Sequence, residues 1–130
     1  MGLQTTAVGD IRIVRMSGDF TLGSTPMGRP LDLRGKRLED LGRYLTELLD
    51  QGQRKIILDM EDVGFVDSAG LGELVACKKR TLERGGDIKL LRPAGQVHKL
   101  LVMTLLHRMF EVFQDEAEAV SSFDQPPGNS

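Results

Sequence analysis

The sequence predicts an α/β protein built on a mixed β-sheet. Short apolar runs typical of buried strands alternate along the chain with stretches whose leucines recur at helical spacing. Such alternation is typical of parallel strands joined by helical crossovers. The chain opens differently, because two strand-like runs, "LQTTAV" and "IRIVRM", flank the turn residues Gly9 and Asp10 and indicate a hairpin. An antiparallel hairpin next to parallel crossovers makes the expected sheet a mixed one.

The first half of the alternation predicts one helix and one central strand. Leucines from Leu38 to Leu49 recur at helical spacing with charged residues between them, and Gly52 stands where a left-handed residue would end the helix. The run "KIILDM" is apolar at successive positions, which is typical of a parallel strand that is buried on both faces.

The second half predicts two strands and three helices. Leu71, Leu74, Val75 and Leu82 indicate a helix that ends at Gly85-Gly86. The strand "DIKLL" follows, and a third helix is expected over roughly 95–107, apolar nearly all round, so that it is either buried on several sides or presents a partner surface. A short strand within "MFEVF" and a final helix within "DEAEAVSSF" complete the pattern.

Composition narrows the functional classes. The 130 residues suit a single domain, expected over 1–124, with a disordered tail over 125–130 and a long Gly- and Pro-rich connection over 19–35. A net charge of -2 and the absence of Trp argue against nucleic-acid binding. The first ten residues lack an apolar signal core, and the run "KLLVMTLL" is too short to span a membrane. Together with a single cysteine, Cys77, this predicts a cytoplasmic protein without disulfides.

The stretch "FVDSAGLG" lies just beyond the carboxyl end of the predicted central strand, where functional groups collect in α/β sheets. Asp67 suits the N-cap of the following helix, and Ser68 would take the first helical position with its side chain outward. Gly70 and Gly72 leave room for another protein to approach. Two interpretations stay open: Asp67 and Ser68 only cap the helix, or the Ser68 hydroxyl is modified and the added charge changes binding.

The second helix offers a surface beside Ser68. Helical spacing puts Gly72, Ala76 and Lys79 to one side of its apolar stripe, where they would form a docking surface or an ordinary solvated face. Glu73, Cys77 and Arg80 would lie opposite the stripe. Without a histidine nearby in sequence, Cys77 is interpreted as an inert thiol.

Catalytic interpretations have less support. "VDSAG" is not the Gly-x-Ser-x-Gly motif of hydrolases. His98 and His107 are nine residues apart, about half a turn out of phase on one helix, so they would not converge there. Asp59, Asp62 and Asp67 suggest a phosphoaspartate or magnesium site, but acids at these positions are also ordinary turn chemistry. We therefore expect no enzyme activity, no cofactor and no resident metal.

The same residues resemble a known family. "IRIVRMSGDF", "KIILDMEDVGFVDSAGLGELV", "ERGGDIKLLRP" and "VHKLLVMTLLHRMFEVFQDEAEAV" stand in the order of the STAS domain, which bacterial anti-sigma-factor antagonists share with the cytoplasmic tails of sulfate transporters. The likeness runs from about Leu3 to Phe123, and its specific part is the central Asp-Ser-x-Gly-Leu-Gly signature. It implies a STAS-like mixed sheet of four to five strands with the helices packed mainly on one side.

The resemblance also implies a mechanism. In that family the serine at the position of Ser68 is phosphorylated by a partner that is both serine kinase and anti-sigma factor. The unphosphorylated protein binds this partner and frees the sigma factor, and a phosphatase restores the phosphorylated form. The implied partner-binding residues are Asp67, Ser68, Ala69, Gly70, Leu71, Gly72, Thr21, Ala76 and Lys79.

Two positions depart from the family pattern. Ala69 stands where a second serine is common, which leaves Ser68 as the acceptor. Thr21 stands near the usual place of an aspartate, in an unusually long connection. The alternative function is a STAS scaffold or subunit of a transporter or signalling assembly that no kinase modifies.

Overall fold

The computed structural model describes residues 2–19 and 38–124. Thr21, most of the predicted connection 19–35 and the predicted tail 125–130 lie outside the described residues. Within them, the strands are β1 Gly2–Val8, β2 Ile11–Ser17, β3 Lys55–Asp62, β4 Asp87–Leu91 and β5 Val112–Phe113. The helices are α1 Leu38–Asp50, α2 Ser68–Glu83, α3 Gly95–Met103 and α4 Glu116–Ser122, with a 3₁₀ turn at Leu106–Arg108.

The strands form one mixed sheet in the order β1-β2-β3-β4-β5. β1 and β2 are antiparallel and pair from Val8 opposite Ile11, which confirms the predicted hairpin. The pairs β2–β3, β3–β4 and β4–β5 are parallel, as helical crossovers require. The predicted α/β fold class and mixed sheet are confirmed.

The helices lie mainly on one side of the sheet, as predicted. The larger core cluster packs one face of β2, β3 and β4 against α1, α2 and α3, and its α1 members are Leu41, Leu45, Leu48 and Leu49. The other face carries a smaller cluster beneath α4, formed by Ile11, Ile13, Ile57, Leu91 and Ala119. Residues Ile56 to Met60 of β3 are all buried, so this strand is central, as its continuous apolar run indicates.

The predicted apolar stripe of α2 is partly wrong. Leu82 is 50% exposed, whereas Cys77, Lys78 and Thr81 are buried on the core side. The polar members tolerate burial because they have partners: Lys78 pairs with Asp87 and donates to the carbonyl of Ile88, and the Thr81 hydroxyl donates to the carbonyl of Cys77. Hydrophobicity alone therefore misplaced the buried face of this helix.

The predicted third helix is too long at its carboxyl end. α3 ends at Met103, where the Thr104 hydroxyl donates to the carbonyl of Leu100 at 2.6 Å. Leu105 then adopts a left-handed conformation at φ 63° and starts the 3₁₀ turn. This reversal returns the chain to the core, where the Phe110 side chain is 2% exposed. Among the described helices, none combines the length and the apolar composition needed to cross a membrane.

Candidate functional site at the start of α2

The loop 63–67 carries the chain from the carboxyl end of β3 to the first residue of α2. Asp67 is extended at φ -96° and ψ -178°, and its Oδ1 accepts a hydrogen bond from the backbone N–H of Gly70 at 2.8 Å. Its carbonyl accepts the N–H of Leu71 at 2.9 Å, which is the first intrahelical bond. Asp67 is therefore the N-cap, as predicted, and this cap does not use the Ser68 side chain.

Ser68 is the first residue of α2, and its side chain is exposed. No hydrogen bond joins its hydroxyl to another described residue. Gly72 lies one turn further along and is exposed too, and apart from the backbone of α2 itself no atom of the described residues would come within 4 Å of a Cβ added there. The hydroxyl is therefore accessible, with open space along the helix beside it.

The residues predicted for the partner surface separate into two groups. Ser68, Gly72 and Lys79 are exposed on one side of α2, with Ala76 half-buried between them and Asp67 half-buried at the cap. Gly70 and Leu71 are buried, and Ala69 packs partly against the core. Of the predicted surface, the structure thus leaves Ser68, Gly72, Ala76 and Lys79, hereafter the α2 stripe, at least partly accessible on one side of α2.

Gln96 holds the loop that precedes Ser68. From the first turn of α3, its Oε1 accepts the backbone N–H of Val66 at 3.0 Å, and its Nε2 donates to the carbonyl of Val66 at 3.1 Å. Val66 is fully buried, so this side-chain amide satisfies both backbone groups of a residue without contact to water. The sequence offers no signal for this contact, because the two residues are 30 positions apart.

Phe65 is a second feature that sequence reasoning did not single out. Its side chain is 45% exposed, although Val63 and Val66 on either side of it are buried. An exposed aromatic side chain three residues before Ser68 offers a partner an apolar contact next to the hydroxyl. The signal for it, an aromatic residue in a loop beside a candidate modification site, was present in "FVDSAGLG".

The proposed aspartate cluster does not assemble. The Asp59 carboxylate is buried at 3.7 Å from the Arg92 guanidinium. Asp62 instead accepts a hydrogen bond from Arg15 at 3.2 Å, and Asp67 caps α2. Within residues 2–19 and 38–124, no group of three or more His, Cys, Asp or Glu residues is arranged to hold a metal ion. The magnesium or phosphoaspartate alternative thus has no support among these residues.

Cys77 is a buried thiol rather than a residue on the exposed side of α2. Burial, and then the negative charge of Glu73, raise the pKa of Cys77 to about 12. At neutral pH the thiol is therefore protonated and unreactive, which agrees with its interpretation as an inert cysteine.

Comparison with known proteins identifies the family. A family model described as the STAS domain matches residues 32–119. The chain belongs to the STAS domain family. A candidate anti-sigma factor antagonist from Thermotoga maritima is 34% identical over 74 residues, which is 57% of this STAS chain and 66% of that protein.

Two further similarities cover more of the STAS chain. The anti-sigma F factor antagonist of Paenibacillus polymyxa is 24% identical over 115 residues, which is 88% of this chain and 87% of that protein. The structure of the Bacillus cell fate determinant SpoIIAA in its phosphorylated form superposes with a TM-score of 0.65 at 19% identity, covering 94% of this chain and 99% of that one. The superposition supports the fold.

Proposed function

We propose that this STAS protein is a phosphorylatable antagonist of an anti-sigma factor and that Ser68 is its phosphorylation site. The unphosphorylated chain binds an anti-sigma factor that is also a serine kinase, and the sigma factor is released. The kinase transfers the γ-phosphoryl group of ATP to the Ser68 oxygen, which loses its proton, and ADP leaves. The STAS chain is the substrate, acts in the cytoplasm and has no catalytic activity of its own.

The observation that carries this proposal is that the Ser68 hydroxyl is accessible and that the helix cap next to it, made by Asp67, does not use it. Because Asp67 makes the capping hydrogen bond to Gly70, a change at the Ser68 oxygen removes no contact from the start of α2. The relatives named as antagonists of anti-sigma factors support the choice of partner.

A phosphate at Ser68 would act on the partner rather than on the fold. It adds a charge of roughly −1.5 to −2 at neutral pH. The amino-terminal end of a helix tolerates such a charge, because its backbone N–H groups carry a partial positive charge. A partner packed against the α2 stripe and Phe65 would have to bury that charge, and burial of an unpaired charge is strongly unfavourable.

The first test is phosphate mapping. The protein is incubated with its cognate anti-sigma kinase and ATP, and the phosphorylated residue is located by mass spectrometry. We expect a single phosphate on Ser68 and none in Ser68→Ala. Labelling at another residue, or equal labelling of Ser68→Ala, would contradict the proposal.

A binding measurement separates the antagonist from the scaffold alternative. Ser68→Asp is expected to weaken binding to the kinase at least tenfold, the equivalent of about 1.4 kcal/mol, while the melting temperature stays within about 2 °C of wild type. Gln51→Asp, an exposed substitution after the end of α1, is the matched charge control and should bind as wild type. Equal binding of both variants would favour a STAS scaffold that no kinase modifies.

A further inference from the structure

The turn after α3 brings together two histidines that a continuous helix would separate. Nine residues correspond to two and a half helical turns, so a helix reaching His107 would place it opposite His98. Instead, α3 ends at Met103, and Leu105 takes φ 63° and ψ 13°, a conformation that is unfavourable for a residue with a Cβ. As a result, His98 and His107 line the same cavity.

This cavity lies between α3 and the segment 107–114, and its volume is about 570 Å³. That size is within the range of pockets that hold small organic molecules. Its apolar lining includes Leu101, Val102, Phe110 and Val112. Phe110 and Leu101 are buried in the main core, so the floor of the cavity is fixed by the fold.

One cation lines the cavity, and a second lines the hollow beside it. The Arg108 guanidinium lines it, and in the described part of the chain this group has no ion pair and no hydrogen bond. Lys99, one turn before Met103 on α3, lines an adjoining hollow and likewise has no ion pair with another described residue. By contrast, Lys55, Lys78 and Lys89 are each paired with a carboxylate.

The one carboxylate in the cavity lining is already compensated. Glu111 Oε1 lies 2.8 Å from the Nζ of Lys89. The His107 Nδ1 lies 3.3 Å from the carbonyl oxygen of Leu101, which can only accept, so Nδ1 carries the proton. In that tautomer the second ring nitrogen can only accept a hydrogen bond, so the Arg108 guanidinium is the donor that can meet an anion, beside an apolar floor.

We propose that this cavity binds a small amphiphilic anion, a carboxylate attached to an apolar chain or ring. The apolar part would occupy the space above Leu101 and Phe110, and the carboxylate would lie against Arg108. The left-handed Leu105 serves this site, since it places His107 and Arg108 beside α3. The proposal does not depend on phosphorylation of Ser68.

The test uses octanoate as the probe and the full chain, labelled with ¹⁵N. Titration followed by two-dimensional NMR should shift the amide signals of residues 98–102 and 107–113 and leave those of the α2 stripe unchanged. 1-Octanol, which has the same chain without the charge, should bind at least about tenfold more weakly, because it cannot form the charge-assisted contact with Arg108.

Two charge reversals make a matched pair. Arg108→Glu should weaken octanoate binding at least about tenfold, the equivalent of about 1.4 kcal/mol. Arg43→Glu reverses another exposed arginine, on α1, and should leave the affinity unchanged. Both side chains are on the surface, so both variants should melt like wild type.

Several results would overturn the proposal. These are the absence of shifts with octanoate, shifts centred on α2, or equal weakening by Arg108→Glu and Arg43→Glu. Binding to vesicles of phosphatidylglycerol is measured as well, because a lipid surface also presents anionic groups on apolar chains. Sedimentation of the protein with these vesicles, without binding of free octanoate, would assign the cations to a membrane surface instead.

Discussion

Two pairs of residues, Ser68 with Cys77 and His98 with His107, are each nine positions apart, yet the structure treats them differently. Ser68 and Cys77 lie on the unbroken helix α2, so one is exposed and the other is buried on the opposite side. His98 and His107 are separated by the left-handed Leu105, and they share a cavity. The same spacing thus predicts opposite sides only where the helix continues.

The two regions also differ in how the backbone turns. At the start of α2, Asp67 is in the extended conformation that any residue adopts, and its own carboxylate caps the helix. At the end of α3, Leu105 holds a strained conformation with its side chain 53% exposed, so packing of that side chain does not compensate. The helix cap of the first region therefore comes from a neighbouring residue, whereas the loop that precedes the cap also depends on Gln96 of α3.

The largest expected effect concerns the long-range support of the α2 region. Gln96→Ala removes the two hydrogen bonds that its side chain makes to the buried Val66 backbone, and the free energy of unfolding should fall by about 2 kcal/mol. Chemical denaturation measures this loss. Faster hydrogen exchange at the Val66 amide should accompany it, because that N–H loses the Gln96 acceptor.

Gln51→Ala is the control for this variant. Gln51 is exposed after α1, and its loss should change the free energy of unfolding by less than about 0.5 kcal/mol. A Gln96→Ala variant as stable as Gln51→Ala would show that the loop before Ser68 does not depend on α3. The residues of the loop and of the first turn of α2 would then be sufficient to hold Ser68 in place.

A smaller effect is expected at the strained turn. Leu105→Gly removes the Cβ that makes φ 63° unfavourable, and the free energy of unfolding should rise by about 1 kcal/mol. Leu105→Ala retains the Cβ and should give no gain. If the two variants are equally stable, Leu105 is not strained in the native turn.

The sequence predicted those features that depend on neighbouring residues. The hairpin at Gly9-Asp10, the buried run of β3 and the N-cap at Asp67 each follow from residue types within a few positions, and the structure confirms them. The end of α1 is similar, because Gly52 takes φ 95° where a left-handed residue was expected.

The features that the sequence did not predict depend on contacts between distant residues. The Gln96 amide meets Val66 only after the sheet has formed, and Lys78 is buried only because Asp87 lies beside it. Nothing in "VMTLLHRMF" marks Leu105 as left-handed, since leucine rarely adopts that conformation and ordinarily continues a helix. The prediction from periodicity therefore made α3 too long and placed His98 and His107 on opposite sides of it.

The smallest expected effect tests which side of α2 faces the core, because the exposure of Ser68 depends on it. With a pKa raised to about 12 by burial, Cys77 keeps its proton in the folded state at pH values where the unfolded thiol, of pKa 9.0, loses it. The folded state then binds more protons than the unfolded state, so this contribution to stability is complete below about pH 9 and falls as the pH rises. Between about pH 8 and about pH 9.5 the loss should be about 0.8 kcal/mol relative to Cys77→Ala.

Thiol reactivity gives the same answer more directly. A thiol reagent at about pH 8 should leave native Cys77 unmodified and should react with it in urea, because the thiolate is the reactive form and forms readily only once the thiol is exposed. Rapid reaction of the native protein would mean that Cys77 faces solvent. Since the two residues are two and a half turns apart on α2 and so lie on opposite sides, Ser68 would then face the core, out of reach of any kinase.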